Sequence, residues 1–249
     1  MDLLKSQLKW LSKRWNFITP THFEKVVSGR KFLKKDSLLV SFDDGFKSDF
    51  FVADKVLKPM NIKAIFFVIT DFVEEERECQ TLKFVRENLK LNPKESGLSD
   101  HLWSMNWEDL KKLRKMGHVI GAHTKSHKRL TQGLAKETLE VEIRDSAKVI
   151  EKKLGFKVQH FAFPFGDFAS IGQDALQIAS EHFDFVYSGL RGFNRDWGSA
   201  KILRRDSLTV HENVYTIGSF LEGACDLRYS SKAKLLDMHL AGKMGVKLL

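Results

Sequence analysis

Apolar positions along the chain alternate between short continuous runs and positions spaced three or four residues apart. Short runs predict strands, whereas the wider spacing predicts helices with one buried face. Strands are predicted at residues 37–42, 63–68, 118–122, 158–163, 183–187 and 201–203. Helices are predicted at residues 50–60, 107–116, 139–154 and 171–180. Strands that alternate with helices are typical of an α/β protein with a parallel sheet.

Residues that start and stop helices support these boundaries. Asn106 is a favourable N-cap for the helix at 107–116, and Gly117 lies just past its end. Gly155 follows the long helix at 139–154, and Pro59 limits the first helix. The pattern therefore predicts separate helices, each leading into the next strand.

About thirty residues (74–103) fit no strand or helix of this alternation. They begin with an acidic cluster of Glu74, Glu75, Glu76 and Glu78. One interpretation is an inserted, solvated helix followed by a loop. The other is a lid, because long segments in a compact α/β fold often cover a site.

Composition and length fit one soluble globular domain. The chain has 249 residues, and its 4 Pro and 16 Gly are too few for a low-complexity or collagen-like protein. Two cysteines, Cys79 and Cys225, provide neither a disulfide framework nor a paired metal-binding motif. The apolar runs are far shorter than the ~20 residues of a membrane span, and no secretory signal pattern opens the sequence. We expect a soluble, cytoplasmic protein.

The net charge of +9 is concentrated at the two ends of the chain. Residues 1–35 hold nine basic and two acidic residues (+7), and residues 228–249 hold five basic and one acidic (+4). Residues 36–227 therefore carry a net charge of −2. Nucleic-acid binding is not expected, because that function favours basic residues along one folded face, interleaved with aromatic side chains.

The first fifteen residues have the pattern of a basic amphipathic helix. One stripe is apolar, and the opposite face carries Lys5, Lys9 and Lys13; the stripe consists of Leu4, Leu8, Leu11 and Trp15. The stripe could pack against the folded domain, or residues 1–15 could rest on an anionic membrane surface. In the second case the protein would be peripheral to the inner face of the membrane, and a lipid-linked sugar could be its substrate.

Two histidines follow the predicted strand at 118–122 in the sequence HTKSH. A spacing of four on a helical turn would place the rings of His123 and His127 on one side, as two metal ligands require. No Glu follows His123, which excludes the HExxH helix of metalloproteases. A general base must therefore come from another part of the chain.

The sequence SFDDG ends the first predicted strand and contains two adjacent carboxylates. Asp43 and Asp44 lie at the end of a barrel strand where active sites are found. Such neighbours point in different directions, so that one can bind a cation while the other faces a substrate. One Asp with two His gives three protein ligands and leaves positions open, which is the pattern of a catalytic zinc-type site. A solvated turn or helix cap is the alternative interpretation.

A third motif, FAFPFG, ends the predicted strand at 158–163. As structure it is an apolar strand and a turn. As a functional element, its Pro164 and Gly166 could fix a loop that turns a backbone N–H toward a developing oxyanion.

The motifs SFDDG, HTKSH and FPFG, in this order, resemble the polysaccharide deacetylase family, the carbohydrate esterases with the NodB homology domain. The resemblance covers residues 36–225 and implies a distorted (β/α)7 barrel in a single domain. It also implies a metal-dependent hydrolase that removes acetyl groups from N-acetylated sugars. Asp43 would be the general base, and the ligands of a divalent metal, with zinc as the default, would be Asp44, His123 and His127.

The third motif and the end of the barrel carry the remaining implied roles. Pro164, Phe165 and Gly166 would form the substrate loop, with the N–H of Phe165 on the oxyanion. Many family members orient the base with an Arg where this chain has Ala162. In a subgroup with a FAYPYG-type motif a late Arg takes that place, and Arg204 matches it, with its neighbour Arg205 as the alternative.

The late Leu-x-His motif that supplies a catalytic His in the family has no clear equivalent. His211 and His239 are candidates only by default, and the general acid is left open. The organisation expected is a basic segment at 1–35, a barrel at 36–225 with the insertion 74–103, and a basic tail at 226–249. Hydrolysis of an O-acetyl ester or another non-peptide amide, and a catalytically silent glycan-binding module, are the alternative functions.

Overall fold

Seven short strands in the described part of the chain form two parallel sheets. The structure, a computed structural model, describes residues 1–74, 78–93, 102–194 and 202–224, with Asp226 and Ser231. The strands are β1 (Asn16–Phe17), β2 (Ser37–Leu38), β3 (Val40–Phe42), β4 (Ala64–Val68), β5 (Val119–Ala122), β6 (His160–Ala162) and β7 (Phe185–Tyr187). One sheet pairs β1 with β2, and the other has the order β3-β4-β5-β6-β7.

The larger sheet curls into a half-barrel, and the chain has the distorted (β/α) barrel architecture as a single domain. Only Leu39 separates β2 from β3, so the strand predicted at 37–42 pairs with β1 through its first half and with β4 through its second. Beyond β7, Leu203 forms a parallel bridge to Tyr187. The predicted strand at 201–203 is therefore represented by Leu203, and its Lys201 lies outside the described residues.

The helices predicted at 50–60, 107–116, 139–154 and 171–180 are present, together with others that the spacing of apolar residues does not predict. They are α1 (Asp2–Leu11), α2 (Pro20–Val27), α3 (Lys47–Val52), α4 (Thr70–Val73), α5 (Glu78–Glu87), α6 (Trp107–Lys115), α7 (Lys136–Glu140), α8 (Ser146–Leu154), α9 (Gln173–His182) and α10 (Val214–Leu221). A π-helical turn at Ala53–Leu57 continues α3, and another at Val141–Asp145 joins α7 to α8. The helix predicted at 139–154 is therefore one continuous helical segment.

The predicted helix boundaries are confirmed at their caps. The Asn106 side chain accepts from the N–H of Asp109, whose carboxylate accepts in turn from the N–H of Asn106. Gly117 and Gly155 follow their helices with φ of 87° and 72°, the left-handed region that glycine adopts without a steric penalty.

Side chains of the strands alternate between two hydrophobic cores. In β4, Phe66 and Val68 face the surrounding helices, whereas Ile65 and Phe67 face the inside of the barrel. The inner core also includes Phe23 of α2. Helix α2 thus contributes to the barrel interior, although the sequence analysis predicts no helix there.

The apolar stripe of residues 1–15, most of which lies in α1, packs against the domain. Leu8 and Leu11 are buried in the outer core, and Leu4 and Trp15 pack against it. Of the two arrangements expected for the stripe, the structure therefore has the one in which it packs against the folded domain. These four side chains then form no exposed apolar face that could rest on a membrane. No helix in the described ranges is long and apolar enough to span a membrane.

Candidate active site

The ends of strands β3, β5 and β6, together with the segment after Leu203, bring the predicted site residues together. Carboxyl ends of parallel strands lie at one edge of the sheet, where barrel enzymes place their active sites. A single cavity of about 1470 Å³ is lined by side chains that follow these strands, namely Asp43, Asp44, His123, His127, Phe165 and Arg205.

The two histidines are oriented by backbone carbonyls. The Nδ1 of His123 lies 2.8 Å from the carbonyl oxygen of Ala162, and the Nδ1 of His127 lies 3.1 Å from that of Asn88. Because a carbonyl only accepts, each Nδ1 carries the proton and each Nε2 presents its lone pair. Burial lowers the pKa of both imidazoles, which favours the neutral form that binds metals.

The prediction of a helical turn between these two histidines is wrong. The segment from His123 to His127 is a loop in which Thr124 and His127 have φ of 67° and 63°. The rings still come together, with centroids 5.3 Å apart. The side chain of Glu142 holds the loop by accepting from the N–H of Lys125 and from the N–H and hydroxyl of Ser126.

Asp44 completes a ligand set that fits a divalent metal. Its Oδ1 lies 3.5 Å from the Nε2 of His123 and 3.4 Å from the Nε2 of His127. Tetrahedral zinc with ligands at 2.0–2.1 Å separates the ligand atoms by about 3.4 Å. Burial, with a smaller contribution from Asp43, raises the pKa of Asp44 to about 6, and a bound cation would favour its charged form.

The carboxylate of Asp43 is held by an arginine. The Nη1 and Nη2 atoms of Arg205 donate to its two oxygens at 2.6 and 2.9 Å, and Arg205 also donates through Nε to the carbonyl oxygen of Ser188. Burial alone would raise the pKa of Asp43. Arg205 and His123 outweigh burial and lower it, so Asp43 is charged at neutral pH.

The arginine that holds Asp43 is Arg205, the alternative, and not Arg204, which the motif resemblance favours. Leu203 faces the inside of the barrel, and side chains two residues apart along an extended chain share a face. Arg205 therefore points inward, where its guanidinium lies 5.0 Å from the ring of Phe67. The side chain of Arg204 lies beside Gly192 instead, and its backbone exchanges two hydrogen bonds with the side chain of Asn194. Alternation from Leu203 could have identified Arg205.

Backbone conformation marks all three motifs. In the described ranges six residues other than glycine have positive φ, and four of them belong to the motifs: Asp44, Thr124, His127 and Phe165. Positive φ costs energy in residues with a Cβ and concentrates at functional sites. At Asp44, φ of 72° separates its carboxylate from that of Asp43, although the two residues are adjacent.

The third motif forms a tight loop after β6. Pro164 and Gly166 are buried, whereas Phe165 has φ of 63° and a side chain that is 42% exposed at the cavity. A Cβ on Gly166 would lie 2.2 Å from the N of Gly189, so this close approach requires glycine. The N–H of Phe165 has no acceptor among the described residues and is available to a ligand.

The structure adds residues that the sequence analysis missed. Asp49 lines the cavity, and burial, followed by the charges of Asp44 and Asp43, raises the pKa of its carboxyl to about 8. Asn88 and Glu142 act on the metal-ligand loop, and neither lies in a recognisable motif. His211 lines the cavity with an exposed side chain, and His239 lies outside the described residues.

Sequence comparison identifies one matching family model. The model described as "Polysaccharide deacetylase" matches residues 30–182 of the 249 in the chain. No curated protein sequence matches the chain.

Solved structures of low sequence identity share the fold. The deacetylase PplD of Streptococcus pyogenes, solved with acetate, superposes with a TM-score of 0.68 at 19% identity, covering 88% of this chain and 86% of its own. IcaB of Ammonifex degensii gives 0.67 at 23% identity, and a de-N-acetylase of Aggregatibacter actinomycetemcomitans gives 0.68 at 18%. Both comparisons cover 88% of each chain.

Proposed function

Because the chain belongs to the polysaccharide deacetylase family, we propose that it is a metal-dependent hydrolase that removes acetyl groups from N-acetylated sugars of a glycan or glycan intermediate. One observation carries the proposal. A charged Asp43, paired with Arg205, faces the same cavity as the ligand set of Asp44, His123 and His127. A base beside a metal site is the arrangement that hydrolysis of an acyl group by activated water requires.

Asp44, His123 and His127 would hold the metal, with zinc as the first candidate for this donor set. When bound, the metal would supply electrophilic activation of the acetyl carbonyl and lower the pKa of water toward 7. Its other positions would be open to water and substrate, because the protein provides three ligands.

The side chains of this chain supply the proton transfers and the positioning. Asp43 would accept a proton from the attacking water, and Arg205 keeps its carboxylate charged and in place. The N–H of Phe165 would donate to the oxygen of the acetyl group as it gains negative charge. The protonated Asp43 could then return its proton to the leaving nitrogen.

Aliphatic side chains in the cavity favour a lipid-linked sugar as a second substrate candidate. Besides the site residues, the exposed side chains of Leu208 and Val210 line the same cavity. Such side chains offer nothing to sugar hydroxyls, whereas they would bury an alkyl chain favourably. Lys34 and Lys35 also line the cavity, where their charge would attract a linking phosphate.

Acetate release from defined substrates tests the proposal. The protein is assayed on N-acetylglucosamine oligomers, on O-acetylated sugars and on N-acetylglucosaminides with alkyl chains of increasing length, before and after chelation and after addition of zinc. We expect N-acetyl hydrolysis that chelation abolishes and zinc restores. Preference for the O-acetyl sugars would assign the ester alternative, and activity independent of chain length would remove the lipid-linked candidate. Binding of glycans without acetate release would favour the silent module.

A further inference from the structure

The insertion at 74–103 contributes directly to the candidate metal site. Asn88, immediately after α5, places its carbonyl oxygen 3.1 Å from the Nδ1 of His127. Its side-chain Nδ2 donates to the carbonyl oxygen of Ser126 at 2.8 Å. One residue of the insertion thus holds both the ring of a metal ligand and the backbone preceding it.

Helix α5 is anchored by its own small hydrophobic cluster. Phe84, Val85 and Leu89 are buried against Ile69 and Phe72, which follow β4. The rings of Phe84 and Phe72 stack with centroids 5.1 Å apart. The helix is therefore half-buried, unlike the solvated helix of the first interpretation, and its position is fixed relative to the end of β4.

The segment after β4, against which α5 packs, is also hydrogen-bonded to the SFDDG and HTKSH motifs. The N–H of Ile69 donates to the carbonyl oxygen of Asp44, and the N–H of Asp71 donates to that of Lys125, within the loop of the two histidines. The cluster beneath α5 is consequently bonded to both segments that provide metal ligands. A shift of α5 would be transmitted to His127 through Asn88.

His127 needs such support for two reasons. Its φ of 63° is unfavourable for a residue with a Cβ, so surrounding contacts must maintain it. Its imidazole also has two tautomers, and only the one with the proton on Nδ1 presents Nε2 to the ligand set. The carbonyl of Asn88 selects that tautomer.

We propose that the insertion helix α5 is a structural part of the metal site, with Asn88 as the positioning residue that fixes His127. Metal binding and the docking of α5 then stabilise each other, because coupling between two equilibria is reciprocal. Within the described part of the insertion, α5 and Asn88 function as a support for the site. This inference rests on the proposed metal dependence and goes beyond it.

Zinc affinity of matched variants tests the inference. Asn88→Ala removes the bond to Ser126, Phe84→Leu weakens the docking of α5, and Glu87→Ala changes an exposed neighbour as a control. The dissociation constant is measured by competition with a chromophoric chelator. Loss of a group that orients a ligand typically weakens metal binding by about 10–100-fold. We expect a loss of this size for Phe84→Leu, a smaller loss for Asn88→Ala, which keeps the backbone carbonyl on His127, and no change for Glu87→Ala.

Two measurements identify a positioning role rather than a loss of folding. In metal-free wild type, the ¹⁵N resonances of His127 should report a proton on Nδ1, and Phe84→Leu, which loosens α5 and with it the carbonyl of Asn88, should give a mixture of tautomers. In wild type alone, zinc should slow amide exchange across residues 78–89, a test that needs no variant.

The outcomes separate this inference from the proposed function. Unchanged zinc affinity in folded Asn88→Ala and Phe84→Leu, or amide exchange in α5 that zinc leaves unaffected, would overturn the inference while metal-dependent acetate release stands. A wild-type protein that binds no zinc, cobalt, nickel or iron would overturn both.

Discussion

Asp43 and Asp44 are adjacent in sequence, yet their surroundings give them opposite properties. Arg205 and His123 keep the pKa of Asp43 low, whereas burial raises the pKa of Asp44 to about 6. Pairs of carboxyl groups with different pKa values are typical of active sites in which one group transfers protons and the other binds or stabilises a positive charge. The positive φ of Asp44 produces this division by turning its side chain toward the histidines.

The correction from Arg204 to Arg205 leads to a prediction with an internal control. Arg205→Gln removes two charge-assisted hydrogen bonds to Asp43, each worth about 1.5–3 kcal/mol. Since the pKa of Asp43 then rises, the acidic limb of the pH–rate profile should move to higher pH. We expect kcat/KM near pH 7 to fall by about 10–100-fold, which corresponds to the net loss of one such bond, because the Gln amide can still donate to Asp43 and 1.4 kcal/mol corresponds to tenfold.

Arg204→Gln is the matched control, because the guanidinium that holds Asp43 belongs to Arg205, whereas the side chain of Arg204 lies beside Gly192. Its acidic limb should coincide with that of wild type. Equal displacement of the limb in the two variants, measured by acetate release across pH, would show that Arg205 has no special relation to the base.

At the residue scale, the sequence predicts which residues form the site but not the directions in which their side chains point. Spacing and residue chemistry selected Asp44, His123 and His127, and the structure places them together. The motif resemblance favours Arg204 over its alternative Arg205, because it does not show which side chain faces the barrel, whereas the alternation from Leu203 does. Asn88 acts mainly through its backbone carbonyl, which every residue type possesses, so no sequence signal could identify it.

At the element scale, a buried histidine joins two central strands. The N–H of Ala64, at the start of β4, donates to the Nδ1 of His118 at 3.0 Å, just before β5. The ring is 4% exposed, and its Nε2 has no partner among the described residues. Burial, followed by the charge of Lys63, lowers the pKa of His118 to about 4.

This pKa predicts an acid sensitivity of folding. A depressed pKa in the folded state means that the unfolded chain takes up a proton first as the pH falls. Stability is therefore complete above the ordinary value of 6.5 and decreases between about pH 6.5 and pH 4, by about 2–3 kcal/mol. His118→Gln, which keeps an acceptor for Ala64, should reduce that decrease.

Urea denaturation at several pH values measures the effect. His211→Gln, which changes an exposed histidine, serves as the control and should retain the wild-type pH dependence. A His118→Gln protein whose stability declines with acid as steeply as wild type would refute the assignment.

Elements with strong periodicity were predictable, and short elements were not. The helix at 107–116 carries a capping box and a following glycine, so sequence defined it closely. Strand β1 has two residues and α2 has eight, too few for a clear period. A spacing of four between the two histidines fits a loop as well as a helical turn, and the positive φ of His127 has no signature in the sequence.

At the scale of the whole molecule, the basic N-terminal segment is integrated into the barrel. Strand β1 pairs with β2, and Glu24 of α2 lies 3.1 Å from the Nε2 of the buried His160. The basic residues of 1–35 therefore belong to a folded segment, and its apolar stripe packs against the outer core of the domain. Membrane association at the inner face stays a proposal, and it would depend on this charge rather than on the stripe.

The central claim is that two adjacent carboxylates serve different functions, Asp43 as the base and Asp44 as a metal ligand. The most direct test measures bound metal and acetate release together in Asp43→Asn and Asp44→Asn. We predict that Asp43→Asn retains the metal of wild type and loses about 10²–10⁴-fold in rate, the usual contribution of a general base, whereas Asp44→Asn loses the metal itself. Undiminished acetate release by metal-loaded Asp43→Asn would contradict the account.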